Sequence, residues 1–329
     1  MTSTDTSTTA AATAAGGSGA ARPAAAPGAA AAATPAATPA AAATLARRQI
    51  RPPDPDAVAR VVAAALAEDL VLGDPTTDGL FEADATATMS LLIKEPGIVC
   101  GLPIVAAVFA ALDPAVVVAA TYADGDRVDE LPAEIARISG PVRAILSGER
   151  TALNLLGRLS GIATLTTRCV AELEGTGATL LDTRKTTAGL RDLEKYAVRC
   201  GGGTNHRLNL GEALLVEDNH LRLAGGIAPA VARLRQSAPR LRLEVEAETL
   251  DDVRVALDSG VNRILLDNMT VDQLVEAVAI VDGRVETEAS GGITLANLHE
   301  IGQTGVDFVS LGALTHSVDA LDVSLEVAQ

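Results

Sequence analysis

Residues 161–314 predict an α/β barrel, and residues 53–160 a smaller α/β domain in front of it. Three observations carry this reading. Strand-like and helix-like segments alternate roughly every 20–30 residues over the C-terminal part, the pattern of parallel strands joined by right-handed crossovers. Six such units run without a nucleotide-binding fingerprint, which favours a barrel over a doubly wound sheet. Polar and charged residues gather where those strands end, the rim on which barrel sites are built.

The elements follow in order. Residues 1–52 are Ala, Thr, Pro and Gly, with Pro23, Pro27, Pro35 and Pro39 interrupting any helix, and read as a disordered tail. No basic region precedes a Leu-rich stretch, so no secretory signal is expected, and Arg22 alone before Arg47 is a weak basis for a transit peptide. A helix is expected over Asp56–Leu70, with Val58, Val61, Val62 and Leu66 at helical spacing. Strand-like stretches follow at Thr88–Lys94, Val116–Tyr122 and Glu134–Ser139, separated by turns such as Ala123-Asp124-Gly125-Asp126. A helix over Glu149–Glu174 carries Leu153, Leu156, Leu159 and Ile162, with Ser160-Gly161 marking a break. The barrel strands are expected at Thr179–Thr183, Ala213–Glu217, Leu243–Glu246, Arg263–Asp267, Val285–Ala289 and Phe308–Leu311. Helices are expected at Leu190–Cys200, Ile227–Ser237, Leu250–Asp258, Val271–Val281 and Leu295–Gly302.

Composition narrows the function. The 329 residues are 48% hydrophobic but only 2% aromatic, so the core is built from Ala, Val, Leu and Ile. A net charge of −16 gives no electrostatic reason to bind nucleic acid or an anionic membrane surface. An anionic substrate would then require a local basic cluster. Cys100, Cys169 and Cys200 are too few and too scattered for a disulfide framework or a zinc site, which fits a reducing cytoplasm. No apolar run is long enough to span a membrane.

The strand ends supply the chemistry. They read Asp182-Thr183-Arg184-Lys185, Glu217-Asp218-Asn219-His220, Glu246 with Glu248, Asp267-Asn268, Ser290-Gly291-Gly292 and Gly312-Ala313. The small residues of the last two let backbone N–H groups approach a phosphate; the plain alternative is a pair of tight turns. Glu246 and Asp267, on successive strands, suit Mg²⁺; the alternative is rim charge paired with Arg or Lys. Arg184, Lys185, Arg199, His206 and Arg207 form a basic cluster around the loop Cys200-Gly201-Gly202-Gly203, and the Arg fork matches carboxylate or phosphate. Arg191, Glu194 and Lys195, at helical spacing, read instead as solvated helix surface. His206 is expected to touch ligand, His220 is balanced between a supporting and a binding role, His316 caps a turn or helix, and Cys200 is structural.

These residues resemble a known family. Gly148-Glu149-Arg150-Thr151-Ala152-Leu153-Asn154, Asp182-Thr183-Arg184-Lys185-Thr186-Thr187, the run Glu194 to Gly203, Asn205-His206-Arg207, Ser290-Gly291-Gly292 and Gly312-Ala313-Leu314-Thr315-His316-Ser317 are similar to the quinolinate phosphoribosyltransferases. The resemblance covers about residues 56–325. It implies an incomplete α/β barrel of the type II phosphoribosyltransferase kind, with an N-terminal open-faced α/β sandwich completed by residues 315–329. It implies a homodimer with shared sites. The implied reaction moves phosphoribose from phosphoribosyl pyrophosphate to the ring nitrogen of quinolinate, with Mg²⁺, and releases CO₂, pyrophosphate and nicotinate mononucleotide. By motif, Arg150 from the partner subunit, Arg184, His206 and Arg207 would hold quinolinate. Lys185 would lie between quinolinate and the donor, Glu246 and Asp267 would serve ribose and metal, and Ser290, Gly291, Gly292 and Gly312 would hold the 5-phosphate.

The chain departs from the family's pattern at Glu217, where the family has Lys, and at Ala188, where it has Pro. At about 4 Å and an effective dielectric near 20, one unit pair is worth roughly 4 kcal/mol before compensation, so inverting a charge beside a dianionic acceptor matters. Three outcomes follow: retained quinolinate activity, which is the expectation, another pyridine-type acceptor, or an inactive homologue that only binds.

Overall fold

The computed structural model describes residues 50–328, so residues 1–49 of the expected tail lie outside the described residues. Ile50 already packs on the core, and the Arg51 carbonyl accepts a hydrogen bond from Arg199 at 3.0 Å.

Helix α1 (Pro55–Asp69) starts on Asp54, whose carboxylate accepts the Asp56 N–H, with Pro at the first turn where no N–H is needed. It buries Ala57, Val62 and Leu66. A short helix, α2 (Pro75–Leu80), precedes β1 (Thr86–Ile93) and β2 (Gly97–Ile98). Helix α3 (Leu102–Leu112) was not foreseen: its residues are apolar on every side, so no helical period shows in the sequence. Strands β3 (Val117–Ala120), β4 (Arg127–Val128) and β5 (Ala133–Pro141) complete this part of the chain. The last strand, β12 (Val323–Val327), returns to pair antiparallel with β1, giving a four-stranded antiparallel sheet in the order β12-β1-β5-β3.

Helix α4 runs unbroken over Val142–Glu172, 31 residues, so the expected break at Ser160-Gly161 does not occur. The small residues serve close approach instead. A Cβ on Gly157 would sit 2.8 Å from the Leu321 carbonyl oxygen, and one on Gly161 would overlap that of Asp319. The returning segment 319–321 lies directly on this face, with Leu321 N–H on the Gly157 carbonyl at 2.9 Å.

The second part alternates as expected: β6 (Thr179–Leu181), α5 (Arg191–Cys200), β7 (Leu214–Val216), α6 (Asp218–Ala224), α7 (Ile227–Ser237), β8 (Leu243–Ala247), α8 (Leu250–Asp258), β9 (Arg263–Asp267), α9 (Val271–Val281), β10 (Glu286–Ser290), α10 (Leu298–Gly302), β11 (Phe308–Ser310) and α11 (Ala313–His316). Thr249 and Thr270 start α8 and α9 with capping boxes. Helix α10 begins three residues later than expected, because Asn297 folds back to accept the Thr294 N–H at 2.7 Å and makes a turn there. The six strands pair in parallel in the order β6-β11-β10-β9-β8-β7. Residues from all six, or from the loops that leave them, line one cavity, so the sheet curls; β6 and β7 do not pair, and the barrel is incomplete. The free edge of β6 is partly covered by Thr204, whose N–H reaches the Leu180 carbonyl at 2.9 Å.

Candidate active site

The cavity, about 260 Å³, opens at the C-terminal ends of the barrel strands. It brings together Arg184, Lys185, His206, Arg207, Glu217, Glu246, Asp267 and Ser290, eight of the residues singled out in the sequence. Gly312 lies beside them, since a Cβ there would come within 3.1 Å of the Lys185 side chain. Gly291 and Gly292 follow Ser290 with φ of 84° and 64°, a backbone that other residues rarely adopt. Arg150 is exposed on α4 and does not line the cavity. Arg199 does not belong to the mouth either. Its guanidinium turns to the carbonyls of Lys195 and Arg51 and to Asn205 Oδ1.

Charge is divided across the opening. On one side, Arg184 and Arg207 each keep a buried Nε with no hydrogen-bond partner among the described residues, which is costly unless a ligand supplies one. Burial and the Arg184 guanidinium pull the Arg207 pKa down, while Glu217 and Glu244 hold it up. On the other side, burial and the Asp267 carboxylate push Glu246 up to about 7, against the Asp218 backbone N–H that favours its charged form. Two carboxylates that repel in this way fit a hard cation such as Mg²⁺, which would relieve the repulsion.

Glu217 caps the start of α6, and its N–H donates to His220 Nδ1 at 3.1 Å. This gives His220, exposed and absent from the cavity lining, a supporting place at the helix end. His316 closes α11, its Nδ1 at 2.6 Å from Ser317 Oγ.

Beneath the opening lies a network that the sequence reading missed. His206 Nε2 meets Glu244 at 3.0 Å and Glu288 at 3.5 Å, and Glu288 also pairs with Arg263 at 2.8 Å. Burial opposes charge on the ring, but hydrogen bonds to both carboxylates outweigh it and raise its pKa to about 9. The Arg207 backbone N–H on Nδ1, at 2.8 Å, pulls the other way; two buried carboxylates outweigh one such contact. The signal was present as a period of two: Glu244 with Glu246 on β8, and Glu286, Glu288 and Ser290 on β10.

Helix α5 requires a second correction. Glu194 and Lys195 are not solvated surface but 0% and 1% exposed, because this face of α5 is covered by α4 and by the β6 loop. Lys195 Nζ donates to Asp182 Oδ1 at 2.5 Å and to the His206 carbonyl at 2.9 Å. Asp182 also accepts the His206 N–H at 2.8 Å and the Asn205 amide at 2.6 Å. Cys200 is buried, as a structural residue would be.

Comparison with known proteins agrees with this geometry. Residues 74–160 match the quinolinate phosphoribosyl transferase N-terminal domain, and residues 162–326 the C-terminal domain of the same family. The chain is 42% identical over 287 residues to the chloroplastic nicotinate-nucleotide pyrophosphorylase (carboxylating) of Arabidopsis thaliana, covering 81% of this chain and 82% of that one. It is 40% identical over 287 residues to a quinolinate phosphoribosyltransferase (decarboxylating) of Nicotiana tabacum, with 81% of each covered. The solved structure of nicotinate-nucleotide pyrophosphorylase from Francisella tularensis superposes with a TM-score of 0.80 at 39% identity, covering 85% of this chain and 99% of that one. Two domain matches in chain order, with relatives at this identity over most of their length, place the chain in the quinolinate phosphoribosyltransferase family.

Proposed function

We propose that this chain transfers phosphoribose from phosphoribosyl pyrophosphate to the nitrogen of quinolinate and releases CO₂, forming nicotinate mononucleotide for NAD biosynthesis. The observation that carries the reading is the divided cavity, with Arg184 and Arg207 Nε atoms that have no partner among the described residues on one side and Glu246 with Asp267 on the other.

The roles follow from charge. Arg184 and Arg207 bind the acceptor carboxylates and aim the ring nitrogen at the ribose, while His206, expected from the sequence to touch ligand, has both ring nitrogens taken by Glu244, Glu288 and the Arg207 N–H and adds positive charge from below; Arg150 reaches the site of the partner in a homodimer. Lys185 lies between acceptor and donor. Ser290, Gly291, Gly292 and Gly312 offer N–H and hydroxyl donors to the 5-phosphate. As the bond to pyrophosphate breaks, positive charge grows on the ribose, and the Glu246 and Asp267 carboxylates stabilise it. These carboxylates would also hold Mg²⁺, which when bound supplies charge neutralisation for the departing pyrophosphate. Loss of CO₂ leaves an electron pair on ring carbon 2, stabilised by the adjacent pyridinium nitrogen and the basic side chains before a proton replaces it. No nucleophilic side chain takes part.

The same proposal divides the chain into an N-terminal domain, 53–160 with 315–329, and a barrel domain, 161–314. It places the enzyme in the cytoplasm, with support from three buried free cysteines.

The test is release of pyrophosphate and CO₂ from phosphoribosyl pyrophosphate, quinolinate and Mg²⁺, with wild type beside Glu217→Lys. Turnover by wild type is the expected result and makes Glu217 a tolerated change. Turnover by Glu217→Lys alone would overturn quinolinate as the acceptor and point to another pyridine.

A further inference from the structure

Glu194 and Lys195 are adjacent, opposite in charge and both buried. Consecutive helix positions point about 100° apart, so the two side chains serve different loops. Lys195 holds the His206 peptide, as described. Glu194 faces the loop that carries Lys185: its Oε2 accepts the Thr187 N–H at 3.0 Å, and its Oε1 takes Arg158 Nε at 2.8 Å. Arg158, from α4, passes the contact on, with Nη2 at 2.8 Å from both Thr187 Oγ1 and the Thr315 carbonyl. Thr315 Oγ1 then donates to the Lys185 carbonyl at 2.8 Å. The Lys185 carbonyl is thereby held directly by Thr315, and the Thr187 end of the same loop by Glu194 and Arg158; through Thr315 the loop is tied to the turn that bears Gly312. Glu194 does not line the cavity, and its side chain is 0% exposed against 28% for Arg158, so it is the fixed point of the chain of contacts.

We propose that Glu194, through Arg158, Thr187 and Thr315, is the positioning residue for Lys185, setting the separation between Lys185 and the 312 turn. The inference rests on the reaction assigned above. A carboxylate accepts from both donors at once; an amide in its place turns an NH₂ toward one of them and releases either Thr187 or Arg158. A displacement of even about 1 Å in a group that contacts the reacting centre costs on the order of a hundredfold in rate.

The test is a double-mutant cycle on pyrophosphate release with wild type, Glu194→Gln, Lys185→Ala and the double variant. Glu194→Gln is expected to lower kcat by at least about tenfold, with the quinolinate KM nearly unchanged, because alignment rather than binding is lost. In the Lys185→Ala background, the same change is expected to cost no more than about twofold. Equal losses in both backgrounds overturn the inference, since a general structural role would not depend on Lys185. Should Glu194→Gln fail to fold, Thr315→Val removes the contact to the Lys185 carbonyl, together with a longer one to the Gly312 carbonyl at 3.3 Å, and is read in the same cycle against the same outcomes. A wild type that releases no pyrophosphate overturns the assigned reaction and this inference with it; an active wild type with equal losses overturns the inference alone.

Discussion

The two sides of the cavity are built differently. The carboxylates Glu246 and Asp267 stand at or inside the ends of β8 and β9, where hydrogen bonds to neighbouring strands fix the backbone. The cations Arg184, Lys185, His206 and Arg207 ride on loops and take their places from buried partners: Asp182, Glu194 and Lys195, with Glu244 and Glu288 below. A strand end supports its side chain through the sheet. A loop cation depends on an ionic scaffold of its own, and that scaffold sits where lost charge balance is expensive.

The contrast predicts that damage behind the basic side lowers stability, in addition to any loss of alignment, while damage on the acidic side lowers activity alone. Lys195→Met leaves the buried Asp182 without its ammonium and is expected to cost about 3–5 kcal/mol in chemical denaturation. A loss near zero would break the comparison. Glu246→Gln is expected to lower kcat by roughly a hundredfold, yet to leave the melting temperature unchanged or slightly raised, because it removes a carboxyl that Asp267 already repels. A large fall in melting temperature would erase the distinction.

A smaller effect concerns pH. The folded pKa of His206, about 9, lies above its unfolded value of about 6.5. Its contribution is therefore fully present below the unfolded value and is lost as pH rises through the folded one. Melting temperature should fall between neutral pH and about 9. In Glu288→Gln, which removes one of the two carboxylates that raise the ring, the fall should be shallower and begin at lower pH. Parallel curves for the two proteins would mean that Glu288 does not charge His206.

The sequence was most legible where local pattern and tertiary position agree. Four barrel strands, β6, β7, β9 and β11, showed themselves as largely apolar stretches leading into polar residues, β8 and β10 as alternating ones, and Asp182, Glu246 and Asp267 fell at or next to the strand ends. Helix α3 was silent because its exposed positions, Pro103, Ala110 and Ala111, are as apolar as its buried ones, which erases the period that reveals a helix. Glu194 and Lys195 were misread because helical spacing says which residues share a face, not whether another helix covers it. Glu244 and Glu288 were passed over because inward positions of buried parallel strands are ordinarily apolar. Arg199 was misplaced by counting bases within a stretch of chain, when its direction was set by the carbonyls around Arg51 and Lys195. The roles of the motif residues came from family resemblance and not from any local rule.

One feature links the two parts of the fold. The two domain families meet at residue 161, inside the unbroken α4, which at 1.5 Å per residue extends about 46 Å. Its first turns pack with β5 and α3, its middle supplies Arg158 to the Lys185 loop, and its glycine face receives the returning segment before β12. There is thus no hinge at the family boundary: independent movement of the two parts would require breaking a helix whose glycines are already filled by the opposite end of the chain. Melting of either part strips a face of this helix that the other needs, so the described chain should lose its structure in one cooperative step, with the boundary between domains legible in ancestry but absent from the mechanics.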